Sequence, residues 1–142
     1  MEVCDNKPMQ TFSIPIRVYI EDTDAGGIVY YANYLKYMER ARTEWLRSLG
    51  VELDELQKRA RRLFVVRSVQ IDYLSPARFN EQLCSVLEPT SMKRASVSCK
   101  QVIMRGDAVL TTASVKLVCV NADTLAPCAI PEGIQMAIQE AI

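Results

Sequence analysis

The stretch Arg17-Val18-Tyr19-Ile20-Glu21-Asp22-Thr23-Asp24-Ala25-Gly26-Gly27-Ile28-Val29-Tyr30-Tyr31-Ala32-Asn33-Tyr34 concentrates the residues able to do chemistry. It reads as a strand, then a glycine-broken loop carrying acids, then the start of a helix. Glycine adopts backbone conformations that other residues avoid, so Gly26 and Gly27 allow a sharp turn between strand and helix. The first turn of a helix offers unpaired backbone N–H groups and the positive end of a dipole, a setting suited to an oxyanion or a polarised carbonyl. A carboxylate placed beside such donors, with Asp24 the foremost candidate, is an arrangement for hydrolysis.

Composition narrows the alternatives. The chain of 142 residues contains no histidine. That removes Ser-His-Asp and Cys-His catalysis and the usual histidine-containing zinc sites. Neither G-x-S-x-G nor G-x-x-x-x-G-K-[ST] occurs, so there is no nucleophile elbow and no P-loop. Lys+Arg and Asp+Glu each number 17, a balance that argues against general attraction to nucleic acid or to an anionic membrane. The start Met1–Lys7 lacks the basic and apolar regions of a signal peptide, and no apolar run approaches a membrane span, so a cytoplasmic protein is expected. Cys4, Cys84, Cys99, Cys119 and Cys128 form no C-x-x-C pair and are odd in number, which favours reduced thiols over a disulfide framework.

The elements that must position the acid loop follow from periodicity. Phe12–Glu21 places Ile14, Ile16, Val18 and Ile20 on one face as a first strand. From about Tyr31 to Leu49, the residues Tyr34, Met38, Ala41, Trp45 and Leu49 recur at helical spacing, and Gly50 supplies the stop. A shorter helix is expected over Glu52–Arg62. Leu63–Tyr73, Gln82–Pro89, Arg94–Met104 and Ala108–Val120 alternate and are rich in β-branched residues, with breaks at Ser75-Pro76, Glu88-Pro89-Thr90-Ser91 and a tight Gly106-Asp107 turn. A last helix spans about Pro131–Ala141. With 49% hydrophobic residues and no linker or repeat, residues 1–142 are expected to form one α+β domain, a curved antiparallel sheet burying the stripe of one long helix.

The segment Glu21–Leu35 resembles the signature of hotdog-fold acyl-CoA thioesterases of the 4-hydroxybenzoyl-CoA thioesterase type. The similarity is greatest to the small bacterial thioesterases associated with the Tol-Pal system. It continues through Glu39-Arg40-Ala41-Arg42-Thr43-Glu44-Trp45-Leu46, Phe64-Val65-Val66-Arg67, Tyr73-Leu74-Ser75-Pro76-Ala77-Arg78 and Val118-Cys119-Val120. The resemblance implies a sheet wrapped around the long helix, and homodimers whose sheets join and whose active sites lie at the subunit interface, often paired again into homotetramers. It also implies that Asp24, the second acid of D-x-D, is catalytic and that the backbone amide of Tyr31 polarises the thioester carbonyl. The commoner pattern of that branch has histidine where Tyr31 stands, whereas the hydroxybenzoyl type carries tyrosine.

Each residue also has a plainer reading. Asp most commonly caps a helix that it precedes. Asp22 reads as turn support, and Asn33 as an organiser of the helix start or a substrate contact. Lys93 and Arg94 at a strand start, with Ser91 and Ser96 nearby, suit coenzyme A phosphates or else a solvated strand edge. In Lys58-Arg59-Ala60-Arg61-Arg62, cations at a helix C-terminus complement its dipole. Arg67 and Arg78 match family positions and equally suit pairing with an acid. The expected activity is hydrolysis of an acyl-CoA substrate to a carboxylic acid and free coenzyme A, with Asp24 as nucleophile or general base and no metal or cofactor required. The alternatives are a non-catalytic acyl-CoA binding or scaffold protein, and last a hotdog dehydratase, whose usual histidine is missing.

Overall fold

The computed structural model describes residues 11–142. Met1–Lys7, read above for targeting, and Cys4 lie outside them. The chain runs β1 (Phe12–Arg17), α1 (Asn33–Ser48), α2 (Leu53–Glu55), β2 (Arg62–Tyr73), β3 (Gln82–Met92), β4 (Ser96–Arg105), β5 (Ala108–Asn121) and α3 (Glu132–Ala141). The five strands form one sheet in the order β1-β3-β4-β5-β2, and every neighbouring pair is antiparallel. The expected α+β architecture is the one observed.

α1 lies across the sheet because its apolar stripe has nowhere else to go. Tyr34, Tyr37, Met38, Ala41, Trp45 and Leu46 are all buried. At one end of the molecule Tyr34, Tyr37 and Met38 pack with Ile16, Val18, Leu83 and Ile103. At the other, Trp45 and Leu46 pack with Leu87, Val97, Cys99, Cys119 and the wholly buried Ile138 of α3. Two buried polar side chains fasten the helix to the sheet: Ser85 Oγ donates to the Tyr37 carbonyl at 3.0 Å, and Gln101 Nε2 donates to the Met38 carbonyl at 2.9 Å. The helix ends where Gly50 takes φ +87, a conformation glycine accepts without Cβ strain.

Several boundaries differ from expectation. β1 stops at Arg17, and Ile20–Asp22 forms a single 3-10 turn. The Asp22 carboxylate accepts from the Tyr19 amide at 2.8 Å, and this local bond replaces the sheet ladder, leaving Ile20 75% exposed. β3 does not break at Pro89 but continues to Met92 through a register shift between Pro89 and Ser91. A bulge accommodates a proline that an ordinary ladder would reject. Lys93 and Arg94 therefore sit in the β3–β4 turn, and β4 begins at Ser96. The second helix is α2 followed by a wide π-type turn, Leu56–Ala60, closed by Arg61 at φ 54.

The basic run beside that turn is structurally engaged: Arg59 pairs with Glu55 at 2.8 Å, and Arg61 pairs with Asp123. Cys84 is disulfide-bonded, contrary to the expectation of five reduced thiols, while Cys99, Cys119 and Cys128 are free. Among the described residues no helix is long and apolar enough to cross a membrane.

Candidate active site

The acid loop doubles back on itself between β1 and α1. Thr23 and Val29 form an antiparallel bridge, and the Asp24 amide donates to the Ile28 carbonyl at 2.9 Å. Gly27 makes the reversal possible at φ +77, with its amide donating to the Asp24 carbonyl at 3.0 Å. Asp24 Oδ1 accepts from the Gly26 amide at 2.8 Å. A Cβ at Gly26 would meet that oxygen at 3.2 Å, so the small residue there preserves the carboxylate's position. Asp24 is not the cap of α1: that place belongs to Ala32, which makes no side-chain cap bond. The carboxylate is instead held by its own turn and is open to solvent.

The start of α1 is tied to the same loop. Asn33 Nδ2 donates to the Asp22 carbonyl at 2.8 Å, and the Tyr30 amide donates to that carbonyl at 2.9 Å. Asn33 thus organises the helix start, and Asp22 supports the turn. The helix begins at Asn33, two residues later than expected, so Tyr31 lies in the turn before it, and its amide has no hydrogen-bond partner among the described residues. An uncommitted N–H at this place is a donor for a substrate oxygen.

Aromatic rings surround these groups. Tyr31 packs against Tyr30 with centroids 4.9 Å apart and meets Tyr73 edge-on at 6.0 Å, while Tyr73 lies 5.6 Å from Tyr34. The hydrogen bond with the Tyr31 side chain pushes the Tyr30 phenol above its ordinary value, and the Asp24 charge adds to it. Tyr30 is a site neighbour that sequence reasoning missed, although its place beside Tyr31 was a signal. Deeper in, burial foremost and then the nearby Asp22 carboxylate push the Tyr37 phenol far upward, keeping it neutral.

A second support was also missed. Glu81 Oε1 accepts from the Arg78 amide at 2.6 Å and from Arg105 Nη1 at 3.0 Å, and Arg105 Nη1 donates to the Pro76 carbonyl at 3.2 Å. This clamp shapes the loop between β2 and β3. The loop then braces the site: the Ala77 amide donates to Tyr34 Oη at 3.0 Å, the Ala77 carbonyl accepts from Val29, and Arg78 bridges Ile28. Arg67 falls at the irregularity between Val66 and Ser68 in β2 and is exposed.

The chain does not gather Lys93, Arg94 and Ser96 with Asp24. The acid loop neighbours the Gln82 end of β3, where Val18 bonds to Glu81 and Arg17 pairs with Gln82. Lys93 and Arg94 follow its Met92 end. Eleven residues of strand separate the two by roughly 30 Å. The Lys93 amide closes the turn onto the Ser96 carbonyl at 2.8 Å, and both basic side chains are exposed. No group of three or more acidic or thiol side chains among the described residues could hold a metal ion.

Residues 26–112 match the family model of the thioesterase superfamily. The chain belongs to that superfamily. The match begins two residues beyond Asp24 and takes in Tyr31, Asn33, Lys93, Arg94 and Ser96. This thioesterase is 41% identical to the acyl-CoA thioesterase YbgC of Haemophilus influenzae over 126 residues, 89% of this chain and 93% of that one. Its structure is similar to that of a probable thioesterase from Bartonella henselae, with TM-score 0.82 and 31% identity over 85% of this chain and 99% of the other. It is also similar to Slr0204, a 1,4-dihydroxy-2-naphthoyl-CoA thioesterase from Synechocystis, with TM-score 0.84 and 25% identity over 92% and 96% of the two chains. The thioesterase fold is thus the hotdog, with α1 wrapped by the sheet.

Proposed function

We propose that this hydrolase cleaves acyl-coenzyme A thioesters to a carboxylic acid and free coenzyme A, with Asp24 as nucleophile or general base and the Tyr31 amide polarising the carbonyl. The observation that carries the reading is the juxtaposition in one loop of a carboxylate fixed by the Gly26 amide and an uncommitted amide at the start of α1. As nucleophile, Asp24 attacks the carbonyl carbon, the C–S bond breaks, coenzyme A leaves as thiolate, and water hydrolyses the mixed anhydride. As base, it takes a proton from water, which attacks in its place. In both routes the Tyr31 N–H bonds the oxygen that gains negative charge. Incubation with a panel of aliphatic and aromatic acyl-CoA and carrier-linked thioesters, with release of free thiol as the readout, tests the activity. Ligand binding without turnover throughout the panel would favour a binding protein.

Tyr31→Phe is expected to keep kcat within about threefold of the parent, because the donor is the backbone amide and a removed donor costs about 100-fold or more. A folded Tyr31→Phe protein as inactive as a carboxylate-free one would transfer the role to the phenol. Tyr31→His should retain hydrolysis and shift the preference among acyl groups.

The supporting case for a homodimer comes from β2. It is a twelve-residue strand whose outer edge is unpaired among the described residues, and Val65, Val66 and Tyr73 are exposed there. Long open edges invite pairing with another chain. Two copies of β2 joined antiparallel about a two-fold axis would set the partner's Arg62 end beside this chain's Tyr73 end. The same operation carries the partner's Lys93–Arg94 turn to the end of the sheet that holds Asp24. Coenzyme A phosphates would then meet Lys93, Arg94 and Ser96 of one subunit while the thioester meets Asp24, Tyr31 and the loop ordered by Asn33 in the other. A second subunit would also wall a site that stands open on one protomer, restricting water around the reacting carbonyl. A dimer of such dimers, working in the cytoplasm as a single domain over residues 1–142, completes the reading.

Replacing Lys93 and Arg94 together with Ala is expected to raise KM for coenzyme A thioesters about 5- to 10-fold at low salt while leaving kcat close to the parent. Short thioesters without the nucleotide should be unaffected, and the difference should shrink at high ionic strength. An unchanged KM at low salt would return the pair to the role of solvated turn residues.

A further inference from the structure

Cys119 lies near the end of β5, and Cys128 lies in the irregular stretch that leads to α3. Val120 and Pro127 form an antiparallel bridge, and the Cys128 amide donates to the Cys119 carbonyl at 2.9 Å, so the two cysteines face each other across paired extended segments. Opposed residues in such pairs hold their Cα atoms about 4.5–5.5 Å apart, within the roughly 4.4–6.8 Å over which disulfides form. Their sulfurs are 3.9 Å apart, both thiols are free, and Cys119 Sγ also lies 3.8 Å from the Ala129 carbonyl. Side-chain rotation is the movement that would bring the sulfurs to a bonding distance of about 2.05 Å. Cys128 is half-buried and Cys119 buried. The Lys93–Arg94 turn hangs from the same strands: the Ala95 carbonyl accepts from the Cys119 amide at 2.8 Å, and the Arg94 carbonyl accepts from the Ile130 amide at 2.9 Å.

We infer that Cys119 and Cys128 are a peroxide-oxidisable dithiol that closes reversibly to a disulfide and fastens the stretch from Cys128 to Ile130, with the Lys93–Arg94 turn, against β5. Cys128 reacts first, being the accessible thiol. Its thiolate attacks one oxygen of hydrogen peroxide, the O–O bond breaks, a sulfenic acid forms on Cys128, and the departing hydroxide takes up the proton the thiol had shed and leaves as water. The Cys119 sulfur then attacks the Cys128 sulfur, the S–S bond forms, the S–O bond breaks, and hydroxide leaves with the Cys119 proton as a second water. The two sulfurs together lose two electrons and the peroxide gains them. Burial, with the Cys128 neighbour adding to it and Arg62 opposing, pushes the Cys119 thiol up to about 12, so Cys119 is not the thiol that meets peroxide first. Cys99, buried and also pushed up to about 12 by burial, is an internal control.

The test treats the full chain with hydrogen peroxide, alkylates the remaining thiols and maps the peptides by mass. The expected product joins Cys119 to Cys128 with loss of two hydrogen atoms, leaves Cys99 alkylated and reverts with dithiothreitol. Amide exchange at Cys128 and Ile130 should slow several-fold on oxidation. Cys128→Ser should abolish both changes, and Cys119→Ser should leave a sulfenic acid that a dione probe traps at Cys128. Cys128 left as a thiol, or carried to sulfinic acid with no link to Cys119, would overturn the inference. The effect on substrate rests on the proposed placement of coenzyme A phosphates at Lys93 and Arg94: oxidation should change KM for coenzyme A thioesters several-fold and leave KM for short thioesters alone. A disulfide with slowed exchange but an unchanged KM would overturn that placement and leave the dithiol standing.

Discussion

Asp24→Asn is expected to lower kcat about 100-fold or more and to leave the fold intact, in line with the loss of positioned acid-base or nucleophilic chemistry. The carboxamide oxygen can still accept from the Gly26 amide, as Oδ1 does at 2.8 Å, so the turn keeps its shape. What disappears is the negative charge, and with it both the attack on a carbonyl and the capture of a proton from water. Asp24 is exposed and makes no ion pair among the described residues, and surface substitutions of that kind usually stay within about 0.5 kcal/mol of the parent. Thiol release paired with a thermal melt checks both halves. Turnover near that of the parent would remove Asp24 from the chemistry.

Gln101→Leu is expected to be the most damaging single change to stability among those considered. Gln101 is completely buried and bonds in two directions, its Nε2 to the Met38 carbonyl and its Oε1 to Arg42 Nη1 at 3.0 Å. Leucine has similar bulk and leaves little cavity, so the cost is polar. It strands a half-buried guanidinium, whose burial already holds Arg42 below its ordinary value, and deprives a helix carbonyl of its link to the sheet. Hydrogen bonds to charged groups are worth about 1.5–3 kcal/mol, and an unsatisfied buried partner adds to that. A loss of about 2–4 kcal/mol follows, seen as a fall in Tm of roughly 6–12 °C. Arg42→Met combined with Gln101→Leu should recover more than half of it, because removing both partners of a buried polar pair costs less than removing one. A single variant as stable as the parent would show that the link contributes nothing.

Much of the fold was legible in the chain because its signals are local. Tyr34, Met38, Ala41 and Trp45 fall on one face of any α-helix, and all four are buried. The four later strands lie within a few residues of where alternation placed them, and Gly27, Gly50 and Gly106 have positive φ where turns or a helix end were expected. The failures have a common cause. Asp22 competed locally with the ladder and ended β1 early, and a bulge at Thr90 carried β3 through a proline that reads as a break. Neither a local side-chain bond that outcompetes the ladder nor the register of a neighbouring strand is visible to periodicity.

By itself the sequence determined the sheet-and-helix composition, the long apolar stripe, the glycine turn under Asp24 and the family resemblance, since each is written in residues close together along the chain. Tertiary structure alone decided that Glu81 and Arg105 brace the loop behind Asp24. It also decided that Lys93 and Arg94 stand at the far end of β3 from the acid loop. These relations are set by strand order and register. Each is the joint outcome of many contacts between residues remote in sequence, and no short window of residues contains them.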